Sequence, residues 1–139
     1  MSRELTEEEY RRLLRFRDGL RQFLDWSSRK ALAAGLTPAQ HQLLLVIRGH
    51  QPGVPSMSDV ADHLLTRHHS TVQLVDRAER AGLVKRHVDE EDHRVVRLHL
   101  TSLGARRLEN LAASHLEELE RLGAHVDLLS LASGNQGGR

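Results

Sequence analysis

Apolar positions along the chain repeat in two different ways, and their order predicts an architecture. Leu13, Phe16, Leu20 and Phe23 recur at three and four residues, the stripe of an amphipathic helix. Thr6 followed by Glu7, Glu8 and Glu9 marks its start, a capping hydroxyl with acids in the first turn, and Gly35 marks its end. Thr37-Pro38 opens a second helix with Leu43, Leu44, Val46 and Ile47 inside it. The stretch Gln51-Pro52-Gly53-Val54-Pro55 breaks the pattern. A third helix is predicted with Ser58 as its cap and Val60, Ala61, Leu64 and Leu65 on its inner face. The polar turn Thr66-Arg67-His68-His69 leads to a fourth helix from about Ser70 to Arg80, closed by Gly82.

The period then drops to two. Val84, Arg86 and Val88 alternate with Lys85 and His87, and Val96, Leu98 and Leu100 alternate with Val95, Arg97 and His99. With the acidic loop 89–93 between them, these runs predict a β-hairpin. Thr101 or Ser102 caps a last helix striped by Leu108, Leu111, His115, Leu119 and Leu122. Gly123 is expected to interrupt it, with a short apolar ending from Val126 to Leu131 and a disordered tail at 133–139.

Two short helices joined by a tight turn and followed by a hairpin form a winged helix-turn-helix. The expected fold class is mainly α (α+β), a winged helix-turn-helix with long N- and C-terminal helices. A compact winged domain cannot cover two long striped helices. The two helices either pack on one another within the chain or form a shared dimer interface. Because small DNA readers commonly pair to match two half-sites, residues 1–36 and 102–132 are read as dimerization helices and 37–101 as the winged region.

Composition sharpens this picture. The chain has 139 residues, 20 basic against 19 acidic, 10 histidines and no cysteine. Near-neutral charge gives no global case for a nucleic-acid or membrane partner, so any electrostatic footprint must be local. Without cysteine, disulfides and thiol redox sensing are excluded. No apolar run approaches the roughly 20 residues of a membrane span, and the acidic N-terminus is unlike a signal peptide. A cytoplasmic protein without a membrane partner is expected. No catalytic constellation or phosphate loop is visible, so an enzyme is not expected and no cofactor is implied.

On a helical wheel of about 100° per residue, Thr71, Val72, Val75 and Ala78 share one side of the fourth helix. Ser70, Gln73, Arg77 and Arg80 share the other. Gln pairs bidentately with adenine and Arg with guanine or phosphate, so these side chains suit a DNA groove. Arg67, His68 and His69 lie just before that helix, whose open amides suit a phosphate. In the hairpin, Lys85 and Arg86 lie on the outgoing strand. Asp92, two residues before Arg94, is placed to aim that guanidinium at a minor groove.

All four aromatics fall within the first 26 residues: Tyr10, Phe16, Phe23 and Trp26. The stripe of Phe16 and Phe23, with Trp26 close by, reads as a dimer seam or as an effector contact. Arg12 and Arg15 would offer partners to an anion. His41 and His115 fall on buried-looking faces as hydrogen-bonded core groups or as ligand contacts. The remaining histidines show no zinc spacing such as HExxH, so no metal ligand is assigned. A metal-responsive regulator using histidines, and a winged-helix protein-interaction module without DNA binding, stand as alternatives.

The segment STVQLVDRAERAGLVKR from Ser70 to Arg86, then DEEDHRVVRLHLTSLG from Asp89 to Gly104, resembles the MarR family of bacterial winged-helix regulators. LTPAQ, from Leu36 to Gln40, is similar to the start of that family's second helix. The turn from Leu65 to His69 reads as about one residue longer than usual and lacks the family's glycine. The resemblance implies a homodimer joined by the terminal helices and bound to double-stranded DNA at a palindromic operator, usually as a repressor. It implies that the fourth helix enters the major groove and that Arg94 reaches the minor groove. It also implies release by a small, often aromatic anionic effector.

Overall fold

A computed structural model describes residues 3–126. The elements run α1 (Glu7–Ala33), α2 (Pro38–Gly49), α3 (Met57–Leu64), α4 (His68–Arg80), β1 (Val84–Val88), β2 (Val96–Leu100) and α5 (Ser102–Val126). They form a winged helix-turn-helix with long terminal helices, as the two periods predict. The chain divides into two compact units, one of residues 1–29 with 113–139 and one of residues 30–112.

Local chemistry sets the helix starts. Thr6 and Glu9 exchange bonds at the head of α1: the Glu9 N–H donates to the Thr6 hydroxyl at 3.2 Å and the Thr6 N–H to the Glu9 carboxylate at 2.7 Å. Thr37 and Gln40 do the same for α2, with Pro38 at the first helical position. At α3 the cap is Ser56, not Ser58. Asp59 reaches back to the Ser56 N–H at 2.9 Å while Ser56 accepts the Asp59 N–H at 3.1 Å. Thr101 heads α5, its hydroxyl accepting the Gly104 N–H at 3.0 Å.

Within the 30–112 unit, Leu36, Leu43, Leu44, Val60, Val75, Leu83, Val84 and Leu98 are sealed from solvent. Side chains of this size each stabilise the fold by about 1.5–3 kcal/mol when fully buried. The hairpin pairs Val84 with Leu100 through Val88 with Val96, antiparallel. An isolated bridge between Ser56 and Arg97, with the Leu98 N–H on the Pro55 carbonyl at 3.0 Å, fastens β2 to the head of α3. At Gly104 an added Cβ would stand 2.1 Å from the Leu83 carbonyl oxygen, so only glycine lets α5 cross there.

Three further expectations need correction. Leu65 lies outside α3 and 92% exposed, because the helix ends one residue earlier. His68 and His69 belong to α4, so the turn is shorter than the sequence suggests. Gly123 does not interrupt α5, which continues to Val126; a lone glycine costs a long helix only about 1 kcal/mol. The ending expected up to Leu131 extends past the described residues, and the tail at 133–139 lies outside them.

The unit of residues 1–29 with 113–139 is built differently. Phe16, Leu20 and Phe23 are half-buried, whereas Tyr10, Leu13, Leu14, Leu24, Leu116 and Leu119 remain 49–63% exposed. No helix among the described residues is long and apolar enough to cross a membrane.

Candidate nucleic-acid interface

The wheel drawn for α4 matches its burial. Thr71, Val75 and Ala78 are sealed inside and Val72 is half-buried. Ser70, Gln73, Arg77 and Arg80 are exposed on the opposite side. The Gln73 amide lies 3.2 Å from His69 Nε2, one turn back, which steadies its side chain. Arg67 is the N-cap residue and makes no side-chain cap bond to the first amides of α4. His68 is exposed beside them.

Two residues expected at the interface are held by partners within the protein. Thr71 is wholly buried, its hydroxyl donating to the Arg67 carbonyl at 3.0 Å and bonded to the Thr66 hydroxyl at 2.8 Å. It fixes the turn and cannot present a side chain to a duplex. The Arg86 guanidinium is taken up by Asp76 and by Glu79 at 3.5 Å, both on α4. It ties the root of the hairpin to the helix. Lys85 stays exposed on the outer hairpin face, where the rings of His87 and His99 meet edge to face at 5.5 Å.

The hairpin tip is more ordered than its acidity suggests. Arg94 projects 90% exposed, yet its Nε and a terminal nitrogen sit 3.1 and 3.2 Å from the two Asp92 carboxylate oxygens. This is the aimed guanidinium expected from the spacing. Asp89, which the sequence reading passed over, organises the rest. Its carboxylate accepts the N–H groups of Glu91 at 2.9 Å and Asp92 at 3.0 Å, and the Arg97 Nε–H at 3.0 Å. Arg97 also donates to the Val54 carbonyl at 3.1 Å, joining the tip to the α2–α3 loop. Both carboxyls are held below their ordinary value, Asp89 chiefly by the Asp92 N–H and Asp92 chiefly by the Arg94 side chain. The only advance signal for Asp89 was an aspartate two and three residues before loop amides it can accept.

A cleft of about 450 Å³ separates the hairpin from the helices, lined in part by Ser58, His68, Val72, Arg86 and Arg94. In the terminal-helix unit, Phe23, Trp26 and His115 form a ring cluster, with Trp26 and His115 at 4.8 Å. Ser27 Oγ bonds His115 Nε2 at 2.8 Å. Arg15 pairs with Glu8 at 3.0 Å and holds that carboxyl below its ordinary value. Arg15 and Phe23 also line a groove of about 410 Å³ with Gln22 and Arg121. Arg12, Phe16 and Trp26 belong to the same unit, while His41, buried at 8% exposure, belongs to the other. Among the described residues no group of three or more histidine, aspartate or glutamate side chains is placed to hold a metal ion.

Residues 34–95 match the family model of the MarR family. Solved structures with the same fold include AbsC, a MarR family transcriptional regulator from Streptomyces coelicolor, at 22% identity and TM-score 0.77, covering 97% of this chain and 94% of that one. A MarR transcription factor from Planctomyces limnophilus matches at 26% identity and TM-score 0.62, covering 96% and 94%. S. aureus MepR, in a complex with DNA, matches at 22% identity and TM-score 0.68, covering 87% and 85%. None of the curated proteins matches the chain. The segment matched by that model runs from the end of α1 through the hairpin tip.

Proposed function

We propose that this protein is a sequence-specific, DNA-binding transcriptional regulator and not an enzyme. It acts in the cytoplasm as a homodimer on a palindromic operator. The observation that carries this reading is the pairing of two outward features. One is the exposed row of Ser70, Gln73 and Arg77 on a helix whose other side is sealed. The other is an exposed Arg94 held by its own carboxylate clamp at the hairpin tip. The first suits base edges and phosphates in a major groove, the second a narrow minor groove beside it. The likeness to MepR, solved on DNA, supports the same use of this fold.

Tyr10, Leu13, Leu14, Leu116 and Leu119 supply the dimer contact, since their exposure is more apolar surface than a lone helix pair leaves to water. Two-fold symmetry then requires two half-sites in the operator. Repression, relieved by a small aromatic anion, completes the reading. Phe23 beside Arg15 in the terminal-helix groove offers a ring face and a cation to such a ligand.

Selection of duplexes from a randomised pool by the purified protein tests the reading. The expected product is one sequence with two-fold symmetry, bound less tightly as salt rises. Recovery of no preferred duplex would leave a winged helix used for protein contacts and would end the DNA reading.

A further inference from the structure

Three helices of this chain end in the same hydrogen-bonded turn. At the end of α1, Leu36 N–H bonds the Ala31 carbonyl at 2.9 Å and Gly35 N–H that of Leu32 at 3.1 Å. At the end of α4, Leu83 N–H bonds Ala78 and Gly82 N–H bonds Glu79, both at 2.9 Å. At the end of α3, Thr66 N–H bonds Ala61 at 3.1 Å and Leu65 N–H bonds Asp62 at 3.3 Å. Each turn needs one residue with positive φ: Gly35 at 80°, Gly82 at 76° and Leu65 at 54°. A Cβ crowds the neighbouring carbonyl in that conformation, which is why glycine takes the first two positions.

The third turn departs from the other two in a second way. Leu36 and Leu83, each following its glycine, are sealed in the core at 1% and 0% exposure. After α3 the following residue is polar Thr66, bonded to Thr71, and the leucine stands in the strained position, 92% exposed. Leu65 therefore strains the backbone and stays out of the core that the described residues form. Such an outlier points to contact with something else.

The surroundings indicate what that is. Thr66, Arg67, His68 and His69 follow directly, all exposed, and lead into the uncapped amides of α4. A polar rim of one arginine and two histidines, at a helix start without a side-chain cap, suits a polyanion better than an apolar protein partner. In a helix-turn-helix on a duplex, the N-terminal end of the second helix points at the bases, which brings the preceding turn to the groove edge. We propose that Leu65 is a DNA-contact residue, its side chain resting on the apolar edge of the major groove, where thymine methyl groups and deoxyribose lie beside the atoms read by Ser70 and Gln73. This rests on the DNA-binding function proposed above.

The probe is the duplex that the wild-type protein selects from a randomised pool, made with thymine and again with uracil, which lacks the methyl. Leu65→Gly and Leu65→Asn remove the apolar group while tolerating positive φ, and Asn keeps the turn from loosening. Both variants are expected to melt at or above the wild-type temperature, Leu65→Gly by a few degrees, and to bind the duplex about tenfold more weakly. Leu65→Met is expected to bind like the wild type. Uracil should weaken the wild type but not Leu65→Asn if the contact is a thymine methyl. An equal loss for Leu65→Asn on both duplexes assigns the contact to deoxyribose and keeps Leu65 on the DNA. Wild-type affinity in both Gly and Asn variants would overturn the proposal. So would a variant that sediments as a monomer, since Leu65 would then join protein copies. Failure of the wild type to select any duplex would instead overturn the DNA-binding reading itself.

Discussion

The two units of this chain bury their apolar residues to very different degrees. Within residues 30–112, leucines or valines from α2 to α5 and from both strands are buried, although Leu32, Leu45, Leu65 and Val88 stay exposed, and the buried Thr71 has hydrogen-bond partners. Among the described residues of the other unit, Leu13, Leu14, Leu24, Leu116 and Leu119 are exposed, while the rings of Phe23, Trp26 and His115 cluster. The first unit holds the material of a stable monomer. Under the proposed function, the second holds the surface for a second copy to cover, and DNA reading falls to the first.

The sharpest way to break that contrast is to cut equal leucines in the two units. Leu98→Ala, at a position with no exposure, is expected to cost about 2–5 kcal/mol. Leu14→Ala, at 57% exposure, is expected to change the stability of the isolated monomer by no more than about 0.5 kcal/mol. Urea titrations at low protein concentration check both, and equal losses would erase the distinction. Leu14→Glu combined with Leu116→Glu is expected to yield folded monomers by sedimentation. A dimer surviving both charges would place the interface elsewhere.

How much of this was legible beforehand follows the same division. Core positions of the winged region were readable because burial on one side imposes a period, and Val60, Val75, Val84 and Leu98 obey it. The Asp92–Arg94 clamp was readable because both partners lie two residues apart in one loop. Thr71 and Arg86 misled, because residue type alone does not say which way a hydroxyl or guanidinium turns. Thr71 is placed by the turn it closes and Arg86 by two acids on a neighbouring helix. Ser56 was within reach, since Ser56 and Asp59 spell a capping box. Gly104 was not, because its reason is the Leu83 carbonyl, distant in sequence.

Smaller effects sharpen the reading face. Gln73→Ala should relax base preference at one operator position, at a cost of about 1–3 kcal/mol if its contact is bidentate. Repeating the selection with the variant checks this; an unchanged preferred sequence would remove Gln73 from readout. The hairpin tip should also respond to acid. Asp89 and Asp92 sit below the ordinary aspartate value of 3.8 in the folded state. Their stabilisation is complete above that value and is lost as pH falls through the lowered folded values. Amide resonances of Glu91, Asp92 and Arg94 are expected to hold down to about pH 4 and to move only in stronger acid. Movement centred above the ordinary value would show that the carboxylate clamps do not order the tip.

The proposed function requires α4 and the hairpin to meet a duplex together. The direct measurement is the affinity of wild-type protein and Arg94→Ala for the selected duplex across a series of salt concentrations. The wild-type affinity is expected to fall linearly on logarithmic axes. Arg94→Ala should bind more weakly, with a slope shallower by about one per contacting subunit, and remain a dimer. Identical affinities and slopes for the two proteins would contradict the two-groove account.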